Sequence, residues 1–176
     1  MKFLIYSRPS FQFSMLASPS CAAHYMGRDY DQAVEECQRA VTIDPNSSNG
    51  YLELSDALTT AGRPQEAAVA AKKAMRLDPN RTSFYAYFIA APYVMMGRYE
   101  EALLLLKGHL TDYPNQPWAH AVLIVAYVEL GRYPEARAEA VELNRISPQF
   151  LAHMLINKDP AITKRWHDAL LRAGVS

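Results

Sequence analysis

The same punctuation returns every 34 or 35 residues along most of this chain. Gly62-Arg63-Pro64-Gln65-Glu66-Ala67, Gly97-Arg98-Tyr99-Glu100-Glu101-Ala102 and Gly131-Arg132-Tyr133-Pro134-Glu135-Ala136 align, and Gly27-Arg28-Asp29-Tyr30-Asp31-Gln32-Ala33 joins them with one extra residue in the turn. Ala33, Ala67, Ala102 and Ala136 are 34, 35 and 34 residues apart, and Pro45, Pro79, Pro114 and Pro148 keep the same beat. Two marker sets with one period define a repeat array, in which each unit buries its apolar face on its neighbours.

Between the markers the pattern is helical. Residues 64–76 place Ala67, Ala70, Ala71, Ala74 and Met75 on one stripe, and residues 99–111 do the same through Ala102, Leu103, Leu106 and Leu110. This is the i, i+3, i+4, i+7 signature of an amphipathic helix. Residues 83–96 and 117–130 are apolar nearly all round, as expected of helices packed on two sides. No segment alternates with period two between turn pairs, so no sheet is expected.

The boundaries have physical causes. Gly62, Gly97 and Gly131 stand just past a helix, where left-handed geometry costs glycine least. Asp44-Pro45-Asn46, Asp78-Pro79-Asn80, Tyr113-Pro114-Asn115 and Ser147-Pro148-Gln149 each end a second helix, because proline disfavours the helical region at the residue before it. Each unit is therefore two antiparallel helices joined by a tight turn. The alanines at the repeat positions let the two backbones approach, and a large side chain there would overpack. Pro92 falls inside a first helix, where it removes one hydrogen bond and predicts a kink.

On these motifs the chain resembles the tetratricopeptide repeat family. The period, the Gly-Arg-Tyr-Glu-Glu-Ala turn, the second-helix alanines Ala40 and Ala74, and the closing Asp-Pro-Asn all match, over roughly residues 20–150. His109 and Leu143 depart from the pattern by replacing the second-helix alanine. The resemblance implies an all-α, right-handed superhelical solenoid of antiparallel helix pairs, with about four repeats and a C-terminal capping helix. The expected divisions are a poorly ordered leader at 1–18, an array at 19–150 with units near 19–46, 47–81, 82–116 and 117–148, and a degenerate fifth unit with capping helices at 149–176. The leader opens Met1-Lys2-Phe3-Leu4-Ile5-Tyr6 like a signal peptide, but its apolar run stops at Ser7-Arg8-Pro9, short of the roughly 7–15 residues a signal needs. In the first unit, Ser18 and Pro19 are placed to open a short helix.

The tail has its own logic. Asp159 suits an N-cap and Pro160 the first helical position, and Ile162, Trp166, Ala169, Leu170 and Ala173 then form one apolar stripe. Ser147-Pro148 opens a short preceding helix carrying Phe150, Leu151, Met154 and Leu155. An open solenoid end exposes apolar surface, so these segments are expected to cap it. Lys158-Asp159-Pro160 with Arg165-Trp166-His167-Asp168-Ala169-Leu170-Leu171-Arg172-Ala173-Gly174 also resembles the tail of repeat regions in bacterial proteins that carry a class III adenylate cyclase domain. Residues 74–79 and the aromatic run Phe84-Tyr85-Ala86-Tyr87-Phe88 share that flavour. The chain has no segment left for the cyclase domain itself, so this resemblance implies a regulatory relative.

Catalytic and metal chemistry find little purchase. The five histidines, at 24, 109, 120, 153 and 167, show no metal-ligand spacing, and no nucleophile elbow or phosphate-cradling glycine loop is present. Glu35-Glu36 and Glu100-Glu101 read as solvated helix-face carboxylates. Cys21 and Cys37 lack a CxxC pairing and are too few for a disulfide framework; they read as buried packing residues in a reducing compartment. No catalytic residue, metal site or cofactor is expected, and the chain is read as a non-enzyme. Lysine and arginine number 18 and so do aspartate and glutamate, which argues against nucleic acid as the partner. No apolar run is long enough for a membrane span. A cytoplasmic location is expected.

The resemblance places the first helix of each unit on the concave side. The inner positions are Asn49, Leu52, Asp56 and Thr59, then Phe84, Tyr87, Ala91, Val94 and Met95, then Trp118, Ala121, Val125, Val128 and Glu129. Of these, Leu52, Asp56, Phe84, Tyr87, Val94, Trp118, Val125 and Glu129 are the candidate partner-binding groove, although aromatics at helical spacing also serve as core. Chaperone-binding members of the family clamp a peptide carboxylate with cationic residues. Here the matching places hold Leu52, Asp56, Tyr87, Ala91, Ala121 and Val125, so the expected partner is an apolar protein or peptide segment and not an acidic C-terminal tail. The function read from this is a protein-interaction scaffold. The alternative is a regulatory or assembly module of a bacterial adenylate cyclase or signalling system, acting on an enzyme in another chain. Self-association is a third reading.

Overall fold

The computed structural model describes residues 29–151 and 157–176. The expected leader, the first helix of the first unit and much of the short helix after Ser147-Pro148 lie outside them. Among the described residues eight α-helices follow in order: α1 (Tyr30–Ile43), α2 (Ser48–Thr60), α3 (Pro64–Leu77), α4 (Thr82–Met95), α5 (Tyr99–Asp112), α6 (Pro117–Glu129), α7 (Tyr133–Ile146) and α8 (Pro160–Ala173). A 3₁₀ turn, Pro79–Arg81, joins α3 to α4. No strand occurs among the described residues.

Helix starts follow local chemistry. The side chains of Asp29, Ser47 and Asp159 accept from the backbone N–H of Gln32, Gly50 and Ala161, and Pro64, Pro117 and Pro160 open their helices, where the missing N–H is not needed. Each repeat turn closes the same way. The Gly62 N–H donates to the Thr59 carbonyl and the Arg63 N–H to the Leu58 carbonyl, and Gly97-Arg98 and Gly131-Arg132 repeat this pair of bonds. The glycine φ at these three turns is 76°, 77° and 72°. A Cβ on Gly97 would meet nothing within 4 Å, so its backbone conformation alone demands glycine. The arginine after each glycine pairs with the glutamate three residues on, Arg63 with Glu66, Arg98 with Glu101 and Arg132 with Glu135.

The helices pack as antiparallel pairs, α2 with α3, α4 with α5 and α6 with α7, and successive pairs stack as a right-handed solenoid. Ala33, Ala67, Ala102 and Ala136 have no exposed surface, as close backbone approach requires. Ser55 is also fully buried, and its hydroxyl donates to the Ala67 carbonyl at 2.9 Å, tying α2 to α3. Helix α4 continues through Pro92. At the places of the missing alanines, His109 and Leu143 are both buried. Buried apolar residues form one large cluster from α2 to α8 and a smaller one of α1, α2 and α3, with Tyr51 against both. Cys37 is fully buried, as its reading as a packing residue expects, but it is disulfide-bonded and not a reduced thiol; Cys21 lies outside the described residues.

Candidate functional site

The inner helices α2, α4 and α6 lie side by side, and between them opens a cleft. Asp56, Thr59 and Thr60 of α2 form one wall, Tyr87, Ala91 and Met95 of α4 the floor, and Trp118 of α6 another wall. The rest comes from the tail: Asn157, and Ile162, Thr163 and Trp166 of α8. The cleft encloses about 560 Å³ including its open mouth. Its middle is aromatic and aliphatic, while the α2 end is polar and carries the Asp56 carboxylate.

Of the eight candidate groove residues, Asp56, Tyr87 and Trp118 meet in this cleft. Leu52, Val94 and Val125 instead are 4, 0 and 0% exposed and belong to the core between stacked pairs. A helix touched by its partner, by the next unit and by the tail has little free face, so an inner position can equally be an interior one. Phe84 packs edge-on to Tyr85 and Tyr113, with the Arg81 guanidinium 4.2 Å from its ring centroid. Glu129 is engaged at the far end: Tyr99 Oη donates to it at 3.3 Å and Arg165 lies 3.6 Å away. Burial, then the Glu129 carboxylate, push the Tyr99 phenol up, which keeps it a donor.

Trp166 was expected mainly as a cap, and Thr60, Asn157, Ile162 and Thr163 carried no groove signal. The apolar stripe on α8 includes Ile162 and Trp166, but a stripe does not say which surface it covers.

Two histidines brace the walls. His109 Nδ1–H donates to the Ser83 carbonyl at 2.9 Å, and its ring stacks on Tyr113. Burial pushes its pKa down, and the Ser83 bond offsets that only in part, so the ring stays neutral. His120 is also buried, which lowers its pKa. However, its Nδ1 lies 2.6 Å from Glu139 and its Nε2 2.9 Å from the Pro114 carbonyl, and these two acceptors raise the pKa above its ordinary value. Among the described residues no group of three or more His, Cys, Asp or Glu could hold a metal ion, and no helix is long and apolar enough to cross a membrane.

The tetratricopeptide repeat profile matches residues 26–91 and 93–158. The chain belongs to the tetratricopeptide repeat family. TPR proteins act as protein-interaction scaffolds. The STIP1 homolog of Dictyostelium discoideum is 30% identical over 140 residues, covering 79% of this chain and 24% of that protein. The chain spans a quarter or less of the length of the curated relatives it matches. The fold is shared with TTC0263, a thermophilic TPR protein of Thermus thermophilus, at a TM-score of 0.63 and 23% identity, covering 86% of this chain and 78% of that one. MamA of Desulfovibrio magneticus RS-1 gives 0.62 and 17%, covering 87% and 86%.

Proposed function

We propose that this TPR chain is a protein-interaction scaffold whose concave cleft takes an apolar segment of a partner protein. The observation that carries the reading is the convergence of Asp56, Tyr87 and Trp118, from three different helices, on one open cleft. Aromatic side chains with one apolar face and a polar tip are frequent anchors of protein interfaces. No lysine, arginine or histidine is among the described residues that line the cleft, and Asp56 stands at its polar end. An acidic C-terminal tail finds no cationic clamp among these residues, whereas an amphipathic helix or extended apolar segment fits. The proposed divisions of the chain remain those of the repeat period.

The test is affinity capture with the full chain, comparing wild type with Tyr87→Ala/Trp118→Ala and following helicity by circular dichroism. The expected result is a protein retained by wild type and lost by the helical double variant, with a synthetic peptide of its contacting segment binding in turn. Equal capture by both, with helicity kept, sinks the reading. A nucleotide cyclase retained in this way would favour the regulatory alternative, which rests on the resemblance of residues 158–174 and 74–88.

A further inference from the structure

In a stacked array each unit touches its neighbours and no others. Residues 157–158 break that rule. They follow the last helix pair in sequence, yet they bond to the end of α2. Asn157 Nδ2 donates to the Thr59 carbonyl at 2.8 Å, and the Lys158 N–H donates to the Thr60 carbonyl at 2.8 Å. These are carbonyls of a helix C-terminus, which seek donors, and a cation beside them is favoured by the helix dipole. The Lys158 ammonium goes on to both carboxylate oxygens of Asp31 in α1, at 2.7 and 2.6 Å, across 127 positions of sequence. The tail thus reaches across the cleft, from the last pair back to α1 and α2.

The two ends of this tail are held differently. At its C-terminal end Ala169, Leu170, Ala173 and Val175 are buried, and Asn144 bonds to the Gly174 carbonyl and the Ser176 N–H. At its N-terminal end no residue from 157 to 166 is fully buried. The attachment there is polar, and the side chains of Lys158 and Asp31 are 48 and 70% exposed, a pair that salt screens. Trp166 Nε1 and Arg165 Nη2 are buried with no hydrogen-bond partner, while Arg165 Nε faces the Glu129 carboxylate at 3.6 Å. Buried donors without acceptors penalise the closed arrangement, and the backbone carbonyls of an incoming segment could satisfy them.

We propose that residues 157–166 are a clasp: a movable wall that narrows the cleft and swings on the anchored end of α8 to admit the partner segment. This rests on the scaffold reading above and adds its regulation. The partner enters as Ile162 and Trp166 draw back from the cleft they line with Tyr87 and Trp118, so affinity is set partly by how firmly Asn157 and Lys158 hold.

The chain has two tryptophans, and both line the cleft, so its indole fluorescence reports on this site. In the full chain, Trp118→Phe leaves Trp166 as the sole emitter, and Asn157→Ala/Lys158→Ala then opens the latch. The expected result is a red shift and stronger acrylamide quenching of Trp166, with the open population rising about tenfold for each ~1.4 kcal/mol of contact removed. Far-UV circular dichroism should hold. Added salt should move the chain with an intact latch in the same direction. Unchanged emission and quenching in the latch variant overturn the clasp. Should that variant lose its helicity, the salt titration with the latch intact decides alone, and a salt-insensitive Trp166 overturns it. The two readings fail separately. Partner capture that depends on Tyr87 and Trp118 but does not strengthen in the latch variant sinks the clasp and keeps the scaffold; capture indifferent to those residues sinks the scaffold reading.

Discussion

Helices α6 and α8 pack against each other and both open on a proline, but they are held in opposite ways. Helix α6 buries ten consecutive residues, Ala119 through Val128, between its pair partner, the preceding unit and the tail. Helix α8 buries Ala169, Leu170 and Ala173, all near its C-terminal end. A helix enclosed on every side moves only when the array unfolds, whereas a helix anchored at one end can open locally at a lower free energy. The repeat body gives the cleft a fixed floor, and the tail gives it a wall that can move.

The sharpest way to break this contrast is to cut into both helices. Ile124→Ala in α6 should lower stability by about 2–5 kcal/mol, because a fully buried site leaves a cavity. Ile162→Ala in α8 should cost markedly less, and equal shifts of the urea midpoint would erase the distinction. Next in size, Ala102→Trp should destabilise by about 1–3 kcal/mol through overpacking of α4 against α5. An unchanged midpoint would count against the close helix pair.

The two bracing histidines sharpen the comparison through pH. His120 has a folded pKa above its unfolded value of about 6.5, so its contribution is complete below that value and is lost as pH rises through the folded pKa. His109 has a folded pKa below it, so its contribution is present above about 6.5 and is lost as pH falls through the folded pKa. Denaturation of His120→Asn beside wild type should therefore show a gap that narrows as the solution turns alkaline. A gap that widens would reverse the assignment of Glu139 and Pro114 as acceptors for an imidazolium. The smallest global effect is expected of Lys158→Ala, about 0–1 kcal/mol for so exposed an ion pair. By the same measure the open population that exposes Trp166 should rise by no more than about fivefold.

Much of the fold was legible in the residues because repeat punctuation is local chemistry. The glycine turns, the proline stops and the buried alanines each answer a backbone constraint that recurs every 34 or 35 positions. The cleft was legible in part. Asp56, Tyr87 and Trp118 were found from their place on inner helices, but Leu52, Val94 and Val125 sit on the same faces and are interior. Helical phase fixes a direction, and only the stacking decides whether that direction meets solvent or a neighbour. The tail was the least legible. A repeat pattern implies contacts between adjacent units, so nothing in it placed Asn157 and Lys158 against Thr59, Thr60 and Asp31. Likewise the spacing of two cysteines carried no sign that Cys37 is disulfide-bonded.

The most direct measurement is native-state hydrogen exchange on the full wild-type chain, comparing amides 119–128 of α6 with amides 161–168 of α8. A fixed floor and a movable wall predict that the α6 amides exchange only with global unfolding, while the α8 amides exchange through a smaller opening that grows with salt. Exchange of both sets at one common, salt-independent rate would show that the tail is as permanent as the body and would contradict the account.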